Sequence, residues 1–223
     1  MGGISMLLIE RFIKLTKIGR IRNKTNQTSC SSCAGTAYVT YDNVKVPVEN
    51  LIGKEGGGFL VIMFNFNHER CLIICASFRA SRLVYEESFK WANQRMVFGK
   101  KLIEQPVIQF KLAKMIAEIE SMQNWLENIT YQMCNMPYKE AAIKLAGPIA
   151  LMKLQATRVA LFVCDESCQI LGGRGITKNE MGSVIEAFQR TFKLASILGG
   201  SEEIMGDLGV RKAMKMIPEN SRL

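Results

Sequence analysis

Glu69 is the residue whose type and position most directly suggest chemistry. It follows Phe66 by three residues and precedes Ile73 by four, in a segment whose apolar residues recur every three or four positions. This spacing predicts that the carboxylate lies on the apolar face of a long helix. A carboxylate there requires compensation, so Glu69 is either one half of a structural ion pair or an acid or base tuned by a pocket.

Two glycine-rich segments could bring the backbone close to a ligand. They are Gly172-Gly173-Arg174-Gly175 and Gly199-Gly200-Ser201. Glycine permits the close approach of a ligand, and the N–H groups at a helix start suit an anionic phosphate. The same residues also fit ordinary helix ends, with Ser201 as the cap of a following helix. The sequence pattern leaves both interpretations open.

A basic segment with one aromatic residue follows the long helix. Its sequence is Arg95-Met96-Val97-Phe98-Gly99-Lys100-Lys101. The arginine could clamp a pyrophosphate and the phenylalanine could pack against an adenine, or the segment could be a solvated turn. The chain has one histidine, His68, which argues against a histidine-based triad or metal cluster, and we predict no metal site.

Helices must position these residues, because most of the chain shows the helical period of apolar side chains. We predict three long helices and two shorter ones, at residues 57–91, 107–134, 138–171, 184–196 and 201–216. Pro148 should kink the third helix or mark a local break. Short links between the helices imply an antiparallel bundle.

Residues 1–52 differ in composition from the rest. Short runs rich in Thr, Tyr and Val predict a few β-strands, too few to bury their own faces. We therefore predict a mainly α fold in three parts. Residues 1–52 are the remnant of an incomplete β domain, residues 53–217 form the antiparallel helix bundle, and residues 218–223 form an exposed tail.

The charge and composition exclude some classes of protein. The chain has 223 residues and a net charge of +9, but its basic residues are scattered, which argues against nucleic acid or an anionic membrane as the partner. Phosphate-bearing ligands such as nucleotides and coenzyme A fit the charge equally well. No apolar run approaches the roughly 20 residues of a membrane span, so we predict none.

Cysteine usage and the last residues bear on the compartment. Seven scattered cysteines, an odd number, argue for a reducing compartment, and Cys30 and Cys33 form a lone C-x-x-C without a second ligand pair. The final Ser221-Arg222-Leu223 is similar to a peroxisomal address. We therefore expect a peroxisomal protein, with the mitochondrion or cytoplasm as the alternative.

Six motifs occur in a fixed order between about residues 4 and 216. They are Asp42-Asn43-Val44-Lys45-Val46-Pro47, Gly57-Gly58-Phe59, Asn67-His68-Glu69-Arg70, Arg95-x-x-Phe98-Gly99-Lys100, Gln169-x-x-Gly172-Gly173-x-Gly175 and Gly199-Gly200-Ser201-Glu202-Glu203-Ile204-Met205. Together they resemble the C-terminal part of the acyl-CoA dehydrogenase family. The first fifty residues are similar to the last strands of that family's middle β domain, and the remainder to its helical bundle. The family's N-terminal domain has no counterpart in this sequence.

The resemblance implies an FAD-dependent oxidoreductase of fatty acid β-oxidation. Family members remove the α-proton of an acyl-CoA thioester with a glutamate while a hydride leaves the β-carbon for FAD. That glutamate stands either near the C-terminus, where this chain has Gly199, or on the first helix of the bundle, where it has Glu69. The resemblance therefore implies that Glu69 is the base, and burial in a dry site suits that role.

The same resemblance assigns the binding residues. Asn67 and Arg70 would contact the acyl-CoA substrate. Arg95 and Phe98 of the basic segment would hold the FAD of a neighbouring subunit. Gln169, Gly172 and Gly173 would lie at the phosphate or adenosine end of FAD, and Ser201 and Glu203 would line FAD near the final helix.

The family's assembly implies a homo-oligomer, either a dimer or a tetramer. Two other classes of function stay open. One is a non-catalytic helical-bundle protein that keeps the family's self-association surface. The other is a nucleic-acid-binding protein, which the net charge of +9 permits and the scattered charge disfavours.

Overall fold

The computed structural model of this chain describes residues 3–9, 22–23, 37–38, 41 and 44–217. The chain divides into two compact units, Met1–Phe66 and Asn67–Leu223. The domain boundaries expected from the sequence, after residues 52 and 217, stay predictions. Several residues of the sequence-based predictions lie outside the described residues. They are Asp42 and Asn43 of the first motif, the Cys30 and Cys33 pair, and the terminal Ser221-Arg222-Leu223.

The first unit contains short antiparallel strand pairs. Strand β1 (Met6–Leu7) pairs with β4 (Leu51–Ile52), and β2 (Arg22–Asn23) pairs with β3 (Ala37–Tyr38). Gly58 lies against β1, where a Cβ atom would stand 2.7 Å from the Ser5 carbonyl carbon. Glycine is therefore required at that position.

The rest of the described chain is helical. Its helices are α1 (Gly58–Gln94), α2 (Pro106–Asn135), α3 (Tyr138–Lys144), α4 (Ala146–Leu171), α5 (Ser183–Thr191), α6 (Lys193–Ile197) and α7 (Glu202–Met216). A hairpin of β5 (Met96–Val97) and β6 (Lys100–Lys101) follows α1. The prediction of a mainly α helix bundle preceded by a few strands is confirmed.

Pro148 explains why the predicted helix at residues 138–171 is two helices. Helix α3 ends at Lys144 and α4 begins at Ala146. Pro148 has no N–H to donate to the Lys144 carbonyl, and its ring would crowd that oxygen in a continuous helix. The chain therefore breaks at Leu145, within the first turn before the proline.

Helix α4 is the central element of the second unit. Most of its residues are buried, and many are small, so neighbouring helices approach closely. Helix α7 meets it through two glycines. A Cβ atom at Gly209 would lie 2.4 Å from Leu151, and one at Gly206 would lie 3.3 Å from Leu154. The core also takes apolar side chains from α1 and α2, including Ile74, Val84, Met115 and Ile119.

Two helical stretches are long and apolar enough to cross a membrane when judged by length and composition. They are Gly58–Gln94 and Ala146–Ile176. Of the most apolar window, 11% is buried inside the protein in the first stretch and 61% in the second. A mostly buried core helix of a globular protein passes the same test, so two such helices are weak evidence for a span.

The buried Lys153 joins α4 to α6 and to the turn that follows it. Its side chain is fully buried, and Nζ donates hydrogen bonds to the carbonyl oxygens of Ser196 at 3.2 Å and Gly200 at 2.6 Å. Burial lowers the pKa of Lys153, the charge of Glu202 opposes that shift, and Arg70 adds to it. These two bonds satisfy the carbonyl groups of the buried Ser196 and the half-buried Gly200.

In the segment between α4 and α5, the carbonyl oxygen of Arg174 accepts two hydrogen bonds. Thr177 donates its backbone N–H at 3.2 Å and its hydroxyl at 2.8 Å to that oxygen. Gly182 is buried against the same group, and a Cβ atom there would lie 1.6 Å from it. The loop therefore has no space for a side chain at position 182.

We predict that Lys153→Met lowers the free energy of unfolding by about 2–4 kcal/mol, because two carbonyl groups lose their donor. Urea unfolding followed by circular dichroism measures this change. The matched control is Lys144→Met, at an exposed position on α3, which should change stability by less than about 0.5 kcal/mol. Equal effects of the two substitutions would contradict the proposed contribution of Lys153.

We predict that Gly182→Ala lowers the free energy of unfolding by about 3 kcal/mol, because the methyl group overlaps a carbonyl oxygen that loop hydrogen bonds hold in place. Gly173→Ala is the control, since a Cβ atom at Gly173 meets no atom within 4 Å. The same unfolding measurement applies. If Gly182→Ala had the same free energy of unfolding as the unsubstituted chain, the loop would have shifted to accommodate the methyl group, and the prediction would be wrong.

Candidate functional site

Helix α1 places Glu69 beside a buried arginine. Glu69 is half-buried, and Arg70 is only 7% exposed. Arg70 Nε donates to the Gly199 carbonyl oxygen at 3.0 Å, and its Nη1 lies 3.5 Å from Asn67 Oδ1. Burial lowers the pKa of the Arg70 guanidinium, and the charge of Glu69 opposes that shift. The buried face of α1 therefore carries a cation, and Glu69 is half-buried at its border.

Gly199 and Gly200 form a turn, called here the glycine turn, between α6 and α7. Their φ angles are +67° and +114°, in the region that favours glycine. A Cβ atom at Gly199 would lie 3.1 Å from Ile73 Cδ1 and 3.5 Å from Arg70 Cγ. The turn thus accepts hydrogen bonds from two buried cations, Arg70 of α1 and Lys153 of α4.

A buried carboxylate follows the glycine turn. Glu202 accepts a hydrogen bond from Thr157 Oγ1 at 2.9 Å and pairs with Arg158 Nε at 2.7 Å. Its negative charge near Lys153 offsets part of the cost of burying that cation. Glu202 therefore has a structural role at the start of α7.

The predicted residues Ser201 and Glu203 lie at the same helix start. Ser201 occupies the cap position of α7, and Glu203 is exposed in the first turn. A hydrogen bond from its own backbone N–H lowers the pKa of Glu203, and a hydrogen bond from Ser201 adds to the effect. Both side chains are thus adjacent to the glycine turn.

A cavity of about 120 Å³ lies next to Asn67. Asn67 Nδ2 donates to the Ala142 carbonyl oxygen at 3.4 Å, and the rings of His68 and Tyr138 stack with centroids 5.6 Å apart. The lining residues come from α1, the end of α2, α3 and α4, and they are Asn67, His68, Met133, Met136, Tyr138, Ala141, Ala142 and Ile149. The cavity is apolar inside with polar groups on the α1 side.

A second group of predicted residues lies at the far end of α1. Arg95 Cζ is 6.0 Å from the centre of the Trp91 ring, and Arg174 Cζ is 4.8 Å from it. We call Trp91, Arg95 and Arg174 the arginine cluster. Trp91 is 21 residues beyond Arg70, so the helical rise separates the two groups by roughly 30 Å along α1.

The other predicted cofactor residues are exposed. Phe98 is 97% exposed at the turn of the β5–β6 hairpin, with a φ of +50°. Gln169 is exposed in the last turn of α4, and Gly172 and Gly173 follow it with open space at their Cβ positions. Arg174 contacts Trp91 near the end of α1, so the segment with Gly172 and Gly173 lies close to the start of the β5–β6 hairpin.

Sequence reasoning did not single out Lys153, Glu202, Trp91 or Arg174. For Lys153 a signal existed, since a lysine between Ile149 and Ala156 breaks the apolar face of α4 as Glu69 breaks that of α1. No local sequence pattern indicates that Arg174 contacts Trp91, because the two residues are 83 positions apart.

Comparison with known proteins relates these features to a family. Residues 56–214 match the family model described as acyl-CoA dehydrogenase, C-terminal domain. The chain is 38% identical to the acyl-CoA dehydrogenase apdG of Emericella nidulans over 215 residues, which cover 96% of this chain and 48% of that protein. It is 36% identical to the acyl-CoA dehydrogenase AFT10-1 of Alternaria alternata over 183 residues, covering 81% and 42% of the two chains. The chain thus spans about half the length of these curated relatives.

Solved structures show the same fold. An acyl-CoA dehydrogenase from Geobacillus kaustophilus superposes with a TM-score of 0.81 and 27% identity, over 95% of this chain and 52% of that one. For butyryl-CoA dehydrogenase from Megasphaera elsdenii the TM-score is 0.80 at 24% identity, over 96% and 52% of the two chains. The match of residues 56–214, together with these relatives, shows that the chain belongs to the acyl-CoA dehydrogenase family.

Proposed function

We propose that the chain forms part of an FAD-dependent acyl-CoA dehydrogenase in which Glu69 is the base. The reaction is the α,β-dehydrogenation of an acyl-CoA thioester. Glu69 would take the α-proton, and FAD, when bound, would supply the acceptor for the hydride from the β-carbon. The double bond then forms between the two carbons that have lost hydrogen.

One observation carries this proposal: the two positions that the family uses for its base adjoin each other in this fold. Arg70 follows Glu69 directly and donates to the carbonyl oxygen of Gly199 at 3.0 Å. Gly199 has no side chain, and Ile73 and Arg70 leave little space for one. Because Gly199 carries no carboxylate, we assign the base to Glu69, the residue of α1 that directly precedes Arg70.

The residues on either side of Glu69 along α1 are held by hydrogen bonds. Arg70 is anchored at the glycine turn, and Asn67 connects Arg70 to α3 through its bond with Ala142. Fixed side chains around a base lower the entropy cost of reaching the reactive geometry. Asn67 also lines the cavity of about 120 Å³, which is consistent with its proposed contact with acyl-CoA.

The arginine cluster suits the phosphate-bearing half of FAD. Arginines offer paired N–H donors to phosphate oxygens, and the open space at Gly172 and Gly173 would let a ligand reach the backbone. The separation of roughly 30 Å between this cluster and Glu69 fits a homo-oligomer in which the cluster holds the FAD of a neighbouring copy. A dimer or tetramer is the assembly that we propose.

The second candidate is a non-catalytic interaction protein derived from the same family. The first prediction below separates the two candidates.

We predict that the purified chain retains added FAD and that anaerobic addition of a straight-chain acyl-CoA bleaches the flavin absorption band. Bleaching follows from hydride transfer to the flavin. Trimethylacetyl-CoA is the control substrate, because it has no α-proton and should leave the band unchanged. A chain that retains no flavin would instead favour the interaction protein.

We predict that Glu69→Gln reduces the rate of bleaching at least about a thousandfold, since the amide cannot accept the α-proton. Flavin content and the circular dichroism spectrum should match those of the unsubstituted chain. Glu86→Gln is the control on the same helix, because Glu86 pairs with Arg79 at 3.8 Å and has no proposed role in the reaction. Retained bleaching in Glu69→Gln would remove Glu69 as the base.

A further inference from the structure

A groove between α2 and α4 lies outside the residues assigned to substrate or cofactor. It encloses about 350 Å³ and is lined by Lys114 and Glu118 of α2 and by Gln155, Arg158, Val159 and Phe162 of α4. Small-molecule sites in proteins are concave and typically enclose roughly 300–1,000 Å³. The groove is therefore large enough for a small ligand, and its lining indicates the chemical class of that ligand.

One wall of the groove is apolar. Val159 is buried and belongs to the core, and Phe162 is half-buried and packs against the same core. An apolar chain placed against these two side chains would cover surface that otherwise contacts water, and removing such surface from water is favourable. The wall therefore suits the hydrocarbon part of a ligand.

Two cations border the apolar wall. Lys114 and Arg158 are both exposed, and they come from different helices. Lys114 Nζ lies 5.0 Å from the centre of the Phe110 ring, and this cation–π contact keeps the ammonium group near the surface of α2. Glu118 is the negatively charged side chain of the same lining. Two positive charges and one negative charge give the lining a net positive charge, which favours an anion.

Glu202 orients the Arg158 side chain. Arg158 Nε pairs with Glu202 Oε2 at 2.7 Å, and the buried Glu202 also accepts a hydrogen bond from Thr157 at 2.9 Å. A guanidinium group has more N–H donors than this pair uses, so the Nη groups can serve a further acceptor. The paired oxygens of a carboxylate match these donors. Because the guanidinium is already oriented, its binding to a ligand costs less side-chain entropy.

Other classes of ligand match the groove less well. A cation would be repelled by Lys114 and Arg158. A small inorganic anion would leave the apolar wall exposed to water, and a neutral apolar molecule would cover charged groups without offering them an acceptor. A carboxylate joined to an apolar chain satisfies both the cations and the wall.

We propose that the groove between α2 and α4 binds an organic carboxylate with a short apolar chain. The carboxylate contacts Arg158 and Lys114, and the chain lies on Val159 and Phe162. None of these residues is assigned to the base, the acyl-CoA or FAD, so the proposal does not depend on the proposed dehydrogenation.

The test is calorimetric titration of the full chain with octanoate, acetate and octylammonium. Octanoate should bind at least about tenfold more tightly than acetate, because acetate lacks the chain that covers the apolar wall. Octylammonium has the same chain with the opposite charge and should bind at least about tenfold more weakly than octanoate. Equal binding of octanoate and octylammonium would mean that only the chain is recognised, and it would overturn the site.

Substitutions then locate the bound octanoate. Lys114→Gln should weaken octanoate binding about fivefold through the loss of one attractive charge, and Glu118→Gln should tighten it about threefold. Arg158→Lys keeps a cation for Glu202 but lacks the paired donors, so binding should weaken about tenfold. Lys215→Gln is the control, because it removes one exposed positive charge from α7. If Lys114→Gln and Arg158→Lys both bind octanoate as Lys215→Gln does, the site is overturned.

A second copy of the chain is the other possible occupant of the groove. Sedimentation velocity distinguishes the two, because bound octanoate should leave the sedimentation coefficient unchanged. If octanoate dissociates an assembly and Lys114→Gln does the same, the groove is a contact between copies, and the carboxylate site is overturned. A chain that binds octanoate as predicted but shows no acyl-CoA bleaching would support this site and contradict the dehydrogenation alone.

Discussion

The second unit depends on the buried ammonium group of Lys153. A charge without access to water is tolerated only when hydrogen bonds and an opposite charge compensate it. The carbonyl oxygens of Ser196 and Gly200 supply the hydrogen bonds, and Glu202 supplies the opposite charge. Because these partners come from both sides of the glycine turn, Lys153 fixes the turn against α4. Arg70 then approaches the same turn from α1, so the surroundings of Glu69 follow from how the lysine is compensated.

Helix α1 connects two sites of different chemical character. Near its first third it carries a carboxylate next to a buried guanidinium, and near its end it carries an indole ring with two guanidinium groups close to it. Both ends are set by partners from distant parts of the chain: the glycine turn for Arg70 and the loop after α4 for Trp91. A single helix therefore sets the distance between the proposed base and the arginine cluster.

The sequence predicts the helices better than it predicts their contacts. The apolar period places α1, α2 and α7 within a few residues of their observed bounds, and Pro148 marks the break between α3 and α4. The apolar period predicts Glu69 on the buried face of α1, whereas in the structure Arg70 and Ile74 lie on that face and Glu69 is half-buried. The partners of Arg70 and Arg174 were not, because periodicity describes one helix at a time and says nothing about which distant turn meets it. For Lys153 the prediction is partial. Its position on the apolar face of α4 indicates that it is buried, but the sequence does not indicate which carbonyl groups accept its hydrogen bonds.

The bond between Arg70 and Gly199 joins residues that are 129 positions apart in the chain. Local helical contacts form quickly, whereas contacts between distant segments require the closure of long loops and form later. The surroundings of Glu69 thus belong to the late steps of folding, after the individual helices exist. A nascent chain contains its proposed base long before it contains the turn that defines the base's environment, so chemical competence is acquired only when nearly the whole bundle has assembled.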